Sequence, residues 1–414
     1  MKTSSFVVGS GSELHLFLFG SAISTTASFT STSRIRTHSH SPESRKQLLR
    51  AAPKRLDENV EGILYVNDRC INCAACSNFA PTVFERGSKF KHVVYKQPTL
   101  DNRNELEEAR AALAACPVAA IRVESKVTEE SDAKLKRELS MKPIGDEKAL
   151  FPRQISSEID LGVYYLGHHN EGSFGAIPYL VLGKSAQGSD ISVMIDVPKF
   201  SHSSVNAVKS LSPPSGPTHM FLTHVDDTAD HNKWAKEFPN MKRIFHAGDL
   251  GRHNWIGDST LENVEILLKG KAEDCAKELM LWDINGNQIE EMQPMQEEEI
   301  VILHTPGHSP GSISLLFRPK FDSVHSCNGV LFTGDSYSWT TRDGGHMSGF
   351  PRYGNDLSQQ AQTLKLLGEL SHLWDVVAPG HGHLRSYMNL RGKENVSKIK
   401  EDDIHTAVSE LLSY

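Results

Sequence analysis

The sequence of 414 residues contains no run of apolar residues near the ~18–20 that a membrane-spanning helix needs. It also has no excess of basic residues, because 44 Lys and Arg face 51 Asp and Glu and give a formal net charge of −7. Non-specific binding to nucleic acid depends on a basic surface. We therefore expect neither a membrane nor a nucleic acid as a partner.

Acidic residues are absent between Glu13 and Glu43, where the chain is rich in Ser and Thr and carries Arg34 and Arg36. A serine-rich, arginine-bearing and acid-poor N-terminus is typical of an organelle transit peptide. The density of Ser and Thr favours the chloroplast, and the stroma is the predicted location. A disordered tail is the alternative interpretation of residues 1–55.

Cysteine is scarce, with six residues in the chain, yet four of the six are arranged in a pattern. Cys70, Cys73 and Cys76 have C-x2-C-x2-C spacing, and Cys116 stands directly before Pro117. This spacing lets one loop hold three corners of a cubic iron–sulfur cluster while the fourth thiolate comes from elsewhere. A tetrahedral zinc site is the alternative, although zinc ligands usually come as two pairs.

Residues 60–125 resemble a bacterial-type ferredoxin domain, which implies a small βαβ-type fold with one [4Fe-4S] cluster on these four cysteines. Two-cluster ferredoxins have a further Cys before a proline, and here Ala80 precedes Pro81. Residues 60–124 contain eight acidic and eight basic side chains, so we expect the cluster to serve mainly its own chain.

Two further elements are predicted, one within this region and one after it. Residues 101–116 predict a helix that is capped by Asp101 or Asn102 and ends at Cys116. Residues 126–157 are charged and weakly periodic, which predicts a linker with a turn or two of helix.

Beyond residue 158, four segments place a side chain that can bind a metal after an apolar run, mostly with Gly or Pro in the turn. They are "THMFLTH" with His224, "HTPGHSPG" with His308, "VLFTGD" with Asp335 and "VVAPGH" with His381. Glycine beside a ligand lets the backbone turn sharply. Strands that end at one sheet edge would therefore bring these four side chains to one metal site.

This pattern resembles the metallo-β-lactamase fold family of metallohydrolases over residues 158–384, with residues 385–414 as a helical tail. The resemblance implies an αββα sandwich, and the whole chain is then an α+β multidomain protein. It also implies that one metal is bound by Asp230, His231 and His381, that another is bound by His224 and His308, and that Asp335 bridges them. In this scheme Asp230 also acts in catalysis by orienting a hydroxide, and Asp196 braces the site from outside.

The stretch "THVDDTADH", residues 223–231, departs from the family pattern H-x-H-x-D-H. Two extra residues separate His224 from the pair Asp230 and His231, and the second His is replaced by Asp226 or Asp227. The sequence does not decide between these two. A solvated acidic turn, in which Asp230 caps a helix, is the alternative to a metal site.

The predicted function is hydrolysis of a thioester, lactone or related ester of a small-molecule substrate by water activated on one or two divalent metals, zinc or iron. The alternative is a di-iron oxidoreductase acting on oxygen, nitric oxide or sulfur species and fed by the cluster, with a plastid electron donor. A scaffold without turnover is a third interpretation. Separation of the cluster from Asp335 beyond about 14–15 Å, a few strand spacings, would argue against direct electron transfer.

Overall fold

The N-terminal part of the computed structural model has short strands around two helices. The strands are β1 (Leu64–Val66), β2 (Phe84–Arg86), β3 (His92–Val94) and β4 (Ile121–Val123), and the helices are α1 (Ala75–Phe79) and α2 (Arg103–Ala115). β1 pairs with β4 and β2 pairs with β3, both antiparallel. As predicted, α2 ends next to Cys116, and its cap is the side chain of Asn102, which accepts a hydrogen bond from the amide of Glu105.

The structure describes residues 52–140, 150–184, 188–292, 295–320, 327–390, 392 and 395–414. The predicted transit segment 1–55 lies almost wholly outside the described residues. Residues 53–414 form one compact unit. No helix among the described residues is both long enough and apolar enough to cross a bilayer.

Two seven-stranded mixed sheets make up most of this unit. The first has, in spatial order from one edge, β11 (Ile266–Leu268), β10 (Lys242–His246), β9 (His219–Phe221), β8 (Asp190–Ile195), β7 (Tyr179–Lys184), β6 (Val163–Tyr165) and β5 (Arg153–Gln154). The second has β13 (Gln288–Ile289), β12 (Leu281–Trp282), β14 (Ile300–His304), β15 (Ile313–Phe317), β16 (Val330–Gly334), β19 (Val376–Pro379) and β20 (Arg385–Ser386). A separate hairpin joins β17 (Ser338–Thr340) to β18 (His346–Ser348).

The alternation of side chains along each strand explains how the layers stack, because successive residues of a strand face opposite sides. Val193 of β8 and Phe332 of β16 belong to one central core between the sheets, whereas their neighbours Met194 and Leu331 belong to two outer cores. Helices α4 (His202–Leu211) and α5 (His231–Glu237) cover the first sheet, and α6 (Leu357–Glu369) and α7 (Val396–Ser413) cover the second. The arrangement is the expected αββα sandwich.

The segment assigned to a linker carries more structure than expected. It contains α3 (Glu130–Ser140), a helix of 11 residues, and the edge strand β5, which pairs with β6. Phe151 is buried in the central core. The first strand of the sandwich therefore lies before residue 158.

The small iron–sulfur region shares this core. The ring of Phe79 lies 5.1 Å from that of Phe151, 5.2 Å from that of Tyr165 and 5.8 Å from that of His169, edge to face. Aromatic pairs in this geometry stabilise a core beyond their buried area. The two parts of the chain are thus joined by packing as well as by the connecting segment.

Phe79→Ala should lower the free energy of unfolding by about 3–5 kcal/mol, the usual cost of removing a buried phenyl ring. Chemical unfolding of the cluster-loaded protein measures this loss. Phe90→Ala is the matched control because Phe90 is 62% exposed, and it should change the free energy of unfolding by less than about 0.5 kcal/mol. If the two variants lose the same free energy of unfolding, the packing of Phe79 in the shared core does not stabilise the protein.

Candidate metal and cluster sites

The four cysteines of the predicted cluster line one cavity, together with Ala120, Ile121 and other residues of the small region. The loop bends inward because Asn72 and Ala74 both have positive φ, 63° and 64°. Backbone amides point at the sulfurs: Asn72 N–H and His92 N–H donate to Cys70 Sγ over 3.4 Å, and Ala120 N–H donates to Cys116 Sγ over 3.2 Å. Amides aimed at sulfur are a feature of iron–sulfur sites.

The spacing of the thiols distinguishes a cluster from zinc. Zinc–thiolate bonds of ~2.3 Å place the sulfurs of a tetrahedral site about 3.8 Å apart. Within the described chain no three of these sulfurs come within 4.8 Å of one another. Burial, followed by the neighbouring thiolates, raises the pKa of Cys73 to about 12. Four thiols that are spaced too widely for zinc fit a larger group, a cluster whose positive irons would hold them as thiolates.

The candidate metal ligands of the sandwich follow strands of both sheets: His224 and Asp226 come after β9, His308 after β14 and Asp335 after β16. His224 Nε2 lies 3.7 Å from Asp226 Oδ2 and 3.9 Å from Asp335 Oδ2, and His308 Nε2 lies 3.9 Å from each of the same two oxygens. Metal–ligand bonds of ~2.1 Å in a tetrahedron require spacings of about 3.4 Å. The four printed separations are about 0.3–0.5 Å longer than that value. Of the four residues, His224, Asp226 and His308 form one group of mutually adjacent ligand atoms in the described chain.

Several buried polar atoms at this edge have no hydrogen-bond partner. They are Nε2 of His224, both ring nitrogens of His308 and both carboxylate oxygens of Asp227. A buried polar group without a partner costs about 1–3 kcal/mol. A divalent cation would satisfy these atoms and hold the clustered carboxylates ionised, so the residues present fit a metal.

The orientation of His224 is set by a chain of hydrogen bonds. The Thr223 hydroxyl donates to Asp196 Oδ1 over 2.9 Å, and the amide of Thr223 donates to the same oxygen over 3.0 Å. The hydroxyl oxygen then accepts from Nδ1–H of His224 over 3.0 Å. This fixes the proton on Nδ1 and leaves Nε2 free to bind a metal, as in other metal sites. Burial and then the neighbouring His308 lower the pKa of His224 to about 4, so the ring is neutral.

Asp249, which the sequence did not single out, ties two ligand loops together. Its carboxylate accepts hydrogen bonds from Val225 N–H, Gly311 N–H and the Ser309 hydroxyl, over 2.9, 2.7 and 2.8 Å. These partners flank His224 and His308 in the chain. The sequence did contain a signal for Asp249, because it follows an apolar strand, β10, just as the predicted site residues follow apolar strands.

Asp226 takes the place of the missing imidazole. Its Oδ2 faces the two histidines, while its Oδ1 accepts the indole N–H of Trp255, a residue that the sequence also did not single out. Asp227 points to a different side and is fully buried next to Asp335 and Asp196. Burial and these two carboxylates raise the pKa of Asp227 well above its usual value. The structure therefore places Asp226 with the two imidazoles, and Asp227 with Asp335 and the Nδ1 side of His224.

His381 lies beside Asp335, with Nδ1 at 2.8 Å from Oδ1 of the carboxylate, and its Nε2–H donates to the carbonyl of Phe174 over 3.3 Å. Burial opposes the charge on the His381 ring, but the adjacent carboxylate outweighs it and raises the pKa to about 9. Conversely, burial opposes ionisation of Asp335, and His381 nonetheless holds its pKa well below the usual range.

The structure corrects the expectation for Asp230 and His231. The carboxylate of Asp230 binds the ammonium of Lys233 and accepts hydrogen bonds from Phe200 N–H and Asn170 Nδ2–H. His231 has Nε2 at 3.1 Å from both Asp258 and Thr260 and Nδ1 at 3.2 Å from Arg243. A short 3-10 turn, Val225–Asp227, uses the extra residues, so the pair falls at the start of α5 instead of in the ligand group. Neither Asp230 nor His231 belongs to a group of three adjacent potential ligands in the described chain.

The metal ligands and the cluster loop open onto one cleft of about 650 Å³. Gly175 explains how close they come, because a Cβ added there would lie 2.6 Å from Cβ and 2.9 Å from Sγ of Cys73. The preceding carbonyl, of Phe174, is the one that binds His381. With the four covalent bonds between these points, of about 1.2–1.5 Å each, Sγ of Cys73 and Nε2 of His381 are at most about 12 Å apart.

Comparison with known proteins supports the interpretation of the small region. Residues 66–123 match the family model for the 4Fe-4S single cluster domain of ferredoxin I. This confirms the predicted single-cluster domain within residues 60–125. No curated protein matches the chain in sequence.

Solved structures similar to the chain include an archaeal metallo-β-lactamase superfamily protein, ST1585 from Sulfolobus tokodaii, with 17% identity, covering 58% of this chain and 93% of that one at a TM-score of 0.32. The DIM-1 metallo-β-lactamase has 13% identity over 60% of this chain and 95% of its own, at a TM-score of 0.37. A quorum-quenching N-acyl homoserine lactone hydrolase has 18% identity, covering 53% of this chain and 83% of its own, at a TM-score of 0.33. The fold class itself is visible in the two sheets and three cores.

Asp226→Asn should lose the metal that is not part of the cluster, because Asp226 Oδ2 is one of the four converging ligand atoms. Asp230→Asn is the matched control and should keep that metal, since its carboxylate is bound to Lys233, Phe200 and Asn170. Elemental analysis per chain, with the cluster counted by its visible absorbance, measures both. If Asp230→Asn loses this metal and Asp226→Asn keeps it, Asp230 is a metal ligand, as the sequence predicted.

Trp255→Phe keeps the ring but removes the N–H that holds Asp226 Oδ1. We expect the affinity for a divalent metal to fall about 10–100-fold, the usual effect of removing a group that orients a ligand. Competition with a chelator measures the affinity, and the visible spectrum of the cobalt(II) form should change as the carboxylate turns. Ile256→Ala, in the same loop, should leave both unchanged; an unaltered Trp255→Phe protein would mean that the indole only covers the site.

Proposed function

We propose that the chain is a metal-dependent hydrolase in which His224, Asp226, His308 and Asp335 hold a divalent metal at the base of the cleft. The observation that carries the proposal is the approach of the two imidazoles to the carboxylates of Asp226 and Asp335, within 3.7–3.9 Å, beside buried polar atoms that have no hydrogen-bond partner among the described residues. A metal in this place would supply a bound water with its pKa lowered toward ~7 and would polarise a carbonyl oxygen. A thioester, lactone or related ester of a small molecule is the proposed substrate class.

The residues of the chain prepare this site in three ways. The Asp196–Thr223 pair presents the free Nε2 of His224. Trp255 leaves only Oδ2 of Asp226 free to bind the metal, and Asp249 fixes the distance between the two ligand loops. Preorganised ligands of this kind need no rearrangement when the metal or the substrate binds. We further propose that the protein works in the chloroplast stroma, as the composition of its first 55 residues suggests.

The test uses full-length protein purified without air, with the cluster intact. A panel of acyl thioesters, lactones and aryl esters should be hydrolysed, and Asp226→Asn should reduce kcat/KM by at least about 100-fold, the order expected when a catalytic metal's water is lost. Asp230→Asn should retain most of the activity. If the whole panel is untouched by zinc-, iron- and manganese-loaded protein, the hydrolase proposal fails.

A redox function is the second candidate, and two observations favour it. Two imidazoles with a carboxylate, here from His224, His308 and Asp226, are also the donor set of mononuclear non-haem iron(II). The cluster is close as well, since Cys73 Sγ lies no more than about 12 Å from the His381 ring by bond lengths. Because Asp230 and His231 lie elsewhere, one iron fits the described residues better than the di-iron site considered from the sequence.

With iron and the cluster both bound, this arrangement would supply one-electron chemistry toward oxygen, and a plastid electron carrier is the proposed donor. Protein reduced by dithionite should then consume oxygen, and it should hold iron beyond the four atoms of the cluster. The control is Asp226→Asn with an intact cluster, because any oxygen that this variant consumes comes from oxidation of the cluster and not from the additional iron. Equal oxygen consumption by this variant, or zinc as the sole additional metal, would eliminate the redox candidate.

A further inference from the structure

The cleft above the metal ligands is built from both parts of the chain. One wall is the cluster-binding loop with Ile71, Asn72, Cys73 and Ala74, joined by Arg86 and Phe90. The lining also includes a second wall, the stretch Phe350 to Tyr353 after β18, and the side chains of Asp226, His308 and Asp335. A molecule that reaches the metal ligands therefore also touches the iron–sulfur region.

Exposed apolar side chains are concentrated at this cleft. Among the described residues, eleven large hydrophobic side chains are exposed, and five of them line it. They are Ile71, Phe90, Phe174, Tyr353 and Tyr414. Scattered single hydrophobic residues on a surface need no explanation, but a group around a concave surface marks a place where an apolar ligand binds.

Each wall also carries an arginine that lies over one of these rings. The guanidinium of Arg86 is 5.2 Å from the centroid of Phe90, and that of Arg352 is 5.7 Å from the centroid of Tyr353. No carboxylate of the described residues forms an ion pair with Arg86 or Arg352, whereas Arg342 in the same cleft is paired with Glu410 over 2.6 Å. A guanidinium stacked on a ring keeps its N–H edge free for an anion.

We propose that this cleft binds an organic anion with an apolar body, an acyl or aryl group that also carries a carboxylate, phosphate or sulfonate. The apolar body lies between Phe90 and Tyr353, and Arg86 and Arg352 bind the anionic end. The inference rests on the proposed function, because it names the substrate class of the same site. It assigns substrate contacts to the iron–sulfur region in addition to its role as a cluster holder.

The binding test compares 2-naphthalenesulfonate with methyl 2-naphthyl sulfone, which has the same ring and a similar size but no charge. Sulfonate is a poor metal ligand, so the comparison reports on the arginines. Calorimetric titration of the cluster-loaded full chain should show the sulfonate binding at least tenfold more tightly than the sulfone. Arg86→Gln and Arg352→Gln should each weaken sulfonate binding about fivefold and leave sulfone binding unchanged.

Variants of the rings should behave differently from those of the arginines. Phe90→Ala and Tyr353→Ala should weaken the binding of both probes, because the apolar body is common to them. Arg55→Gln is the matched control, since Arg55 also lies over a ring, that of Tyr65 at 5.1 Å, but does not line the cleft. It should leave the binding of both probes unchanged.

Equal affinities of the two probes, or arginine variants that behave like Arg55→Gln, would overturn the proposal. This outcome is distinguishable from failure of the hydrolase proposal because no turnover is measured. Asp226→Asn should still prefer the sulfonate, so the cleft is tested without the metal. If uncharged esters are hydrolysed and the two probes bind equally, the hydrolase proposal stands and the proposal of an anionic substrate fails.

Discussion

Residue 175 has no room for a side chain, and much of the structure depends on this. Gly175 has φ +86° and lies against the side chains of Cys73 and Pro117, so that any Cβ would overlap the cysteine. Its close approach brings the cluster loop against the edge where the sandwich strands end. The carbonyl before it, of Phe174, binds His381, and the carbonyl of Gly175 itself accepts from His169. One glycine thus sets the close approach of the cluster loop to His381, the neighbour of Asp335.

The second constraint is the accumulation of buried carboxylates at that edge. Asp196, Asp226, Asp227 and Asp335 lie close enough that each affects the ionisation of another. Such a group is stable in a protein interior only when it is paired, protonated or bound to a cation. Asp196 is satisfied by Thr223 and Asp335 by His381, but the carboxylate of Asp227 accepts no hydrogen bond from the described residues. The site is therefore built to be completed by a metal, whichever reaction the metal supports.

Shared packing gives the iron–sulfur region two roles at once. Its core continues through Phe79 into that of the sandwich, and the Ser77 hydroxyl lies 3.0 Å from His92 and 3.1 Å from His383, one ring from each part. A region held so firmly can form a wall of the cleft as well as a site for the cluster. The two proposed functions, hydrolysis and redox chemistry, differ in the metal that they require, because the candidate ligands and the nearby cluster site are compatible with either.

The sequence by itself predicted four cysteines that line one cavity, the helix that ends at Cys116, and the meeting of His224, His308 and Asp335 at one edge, with His381 beside Asp335. Spacing along the chain carries this information, because short loops and strand ends allow few arrangements. Only the tertiary structure showed that Asp226 and Asp227 lie in two different groups of potential ligands, and that Asp230 and His231 lie in neither. The physical reason is the two extra residues in this stretch. They are accommodated by a 3-10 turn, Val225–Asp227, and spacing along the chain does not predict where such a turn places the residues after it. Trp255 and Asp249 act across the fold, and their partners are distant in the sequence.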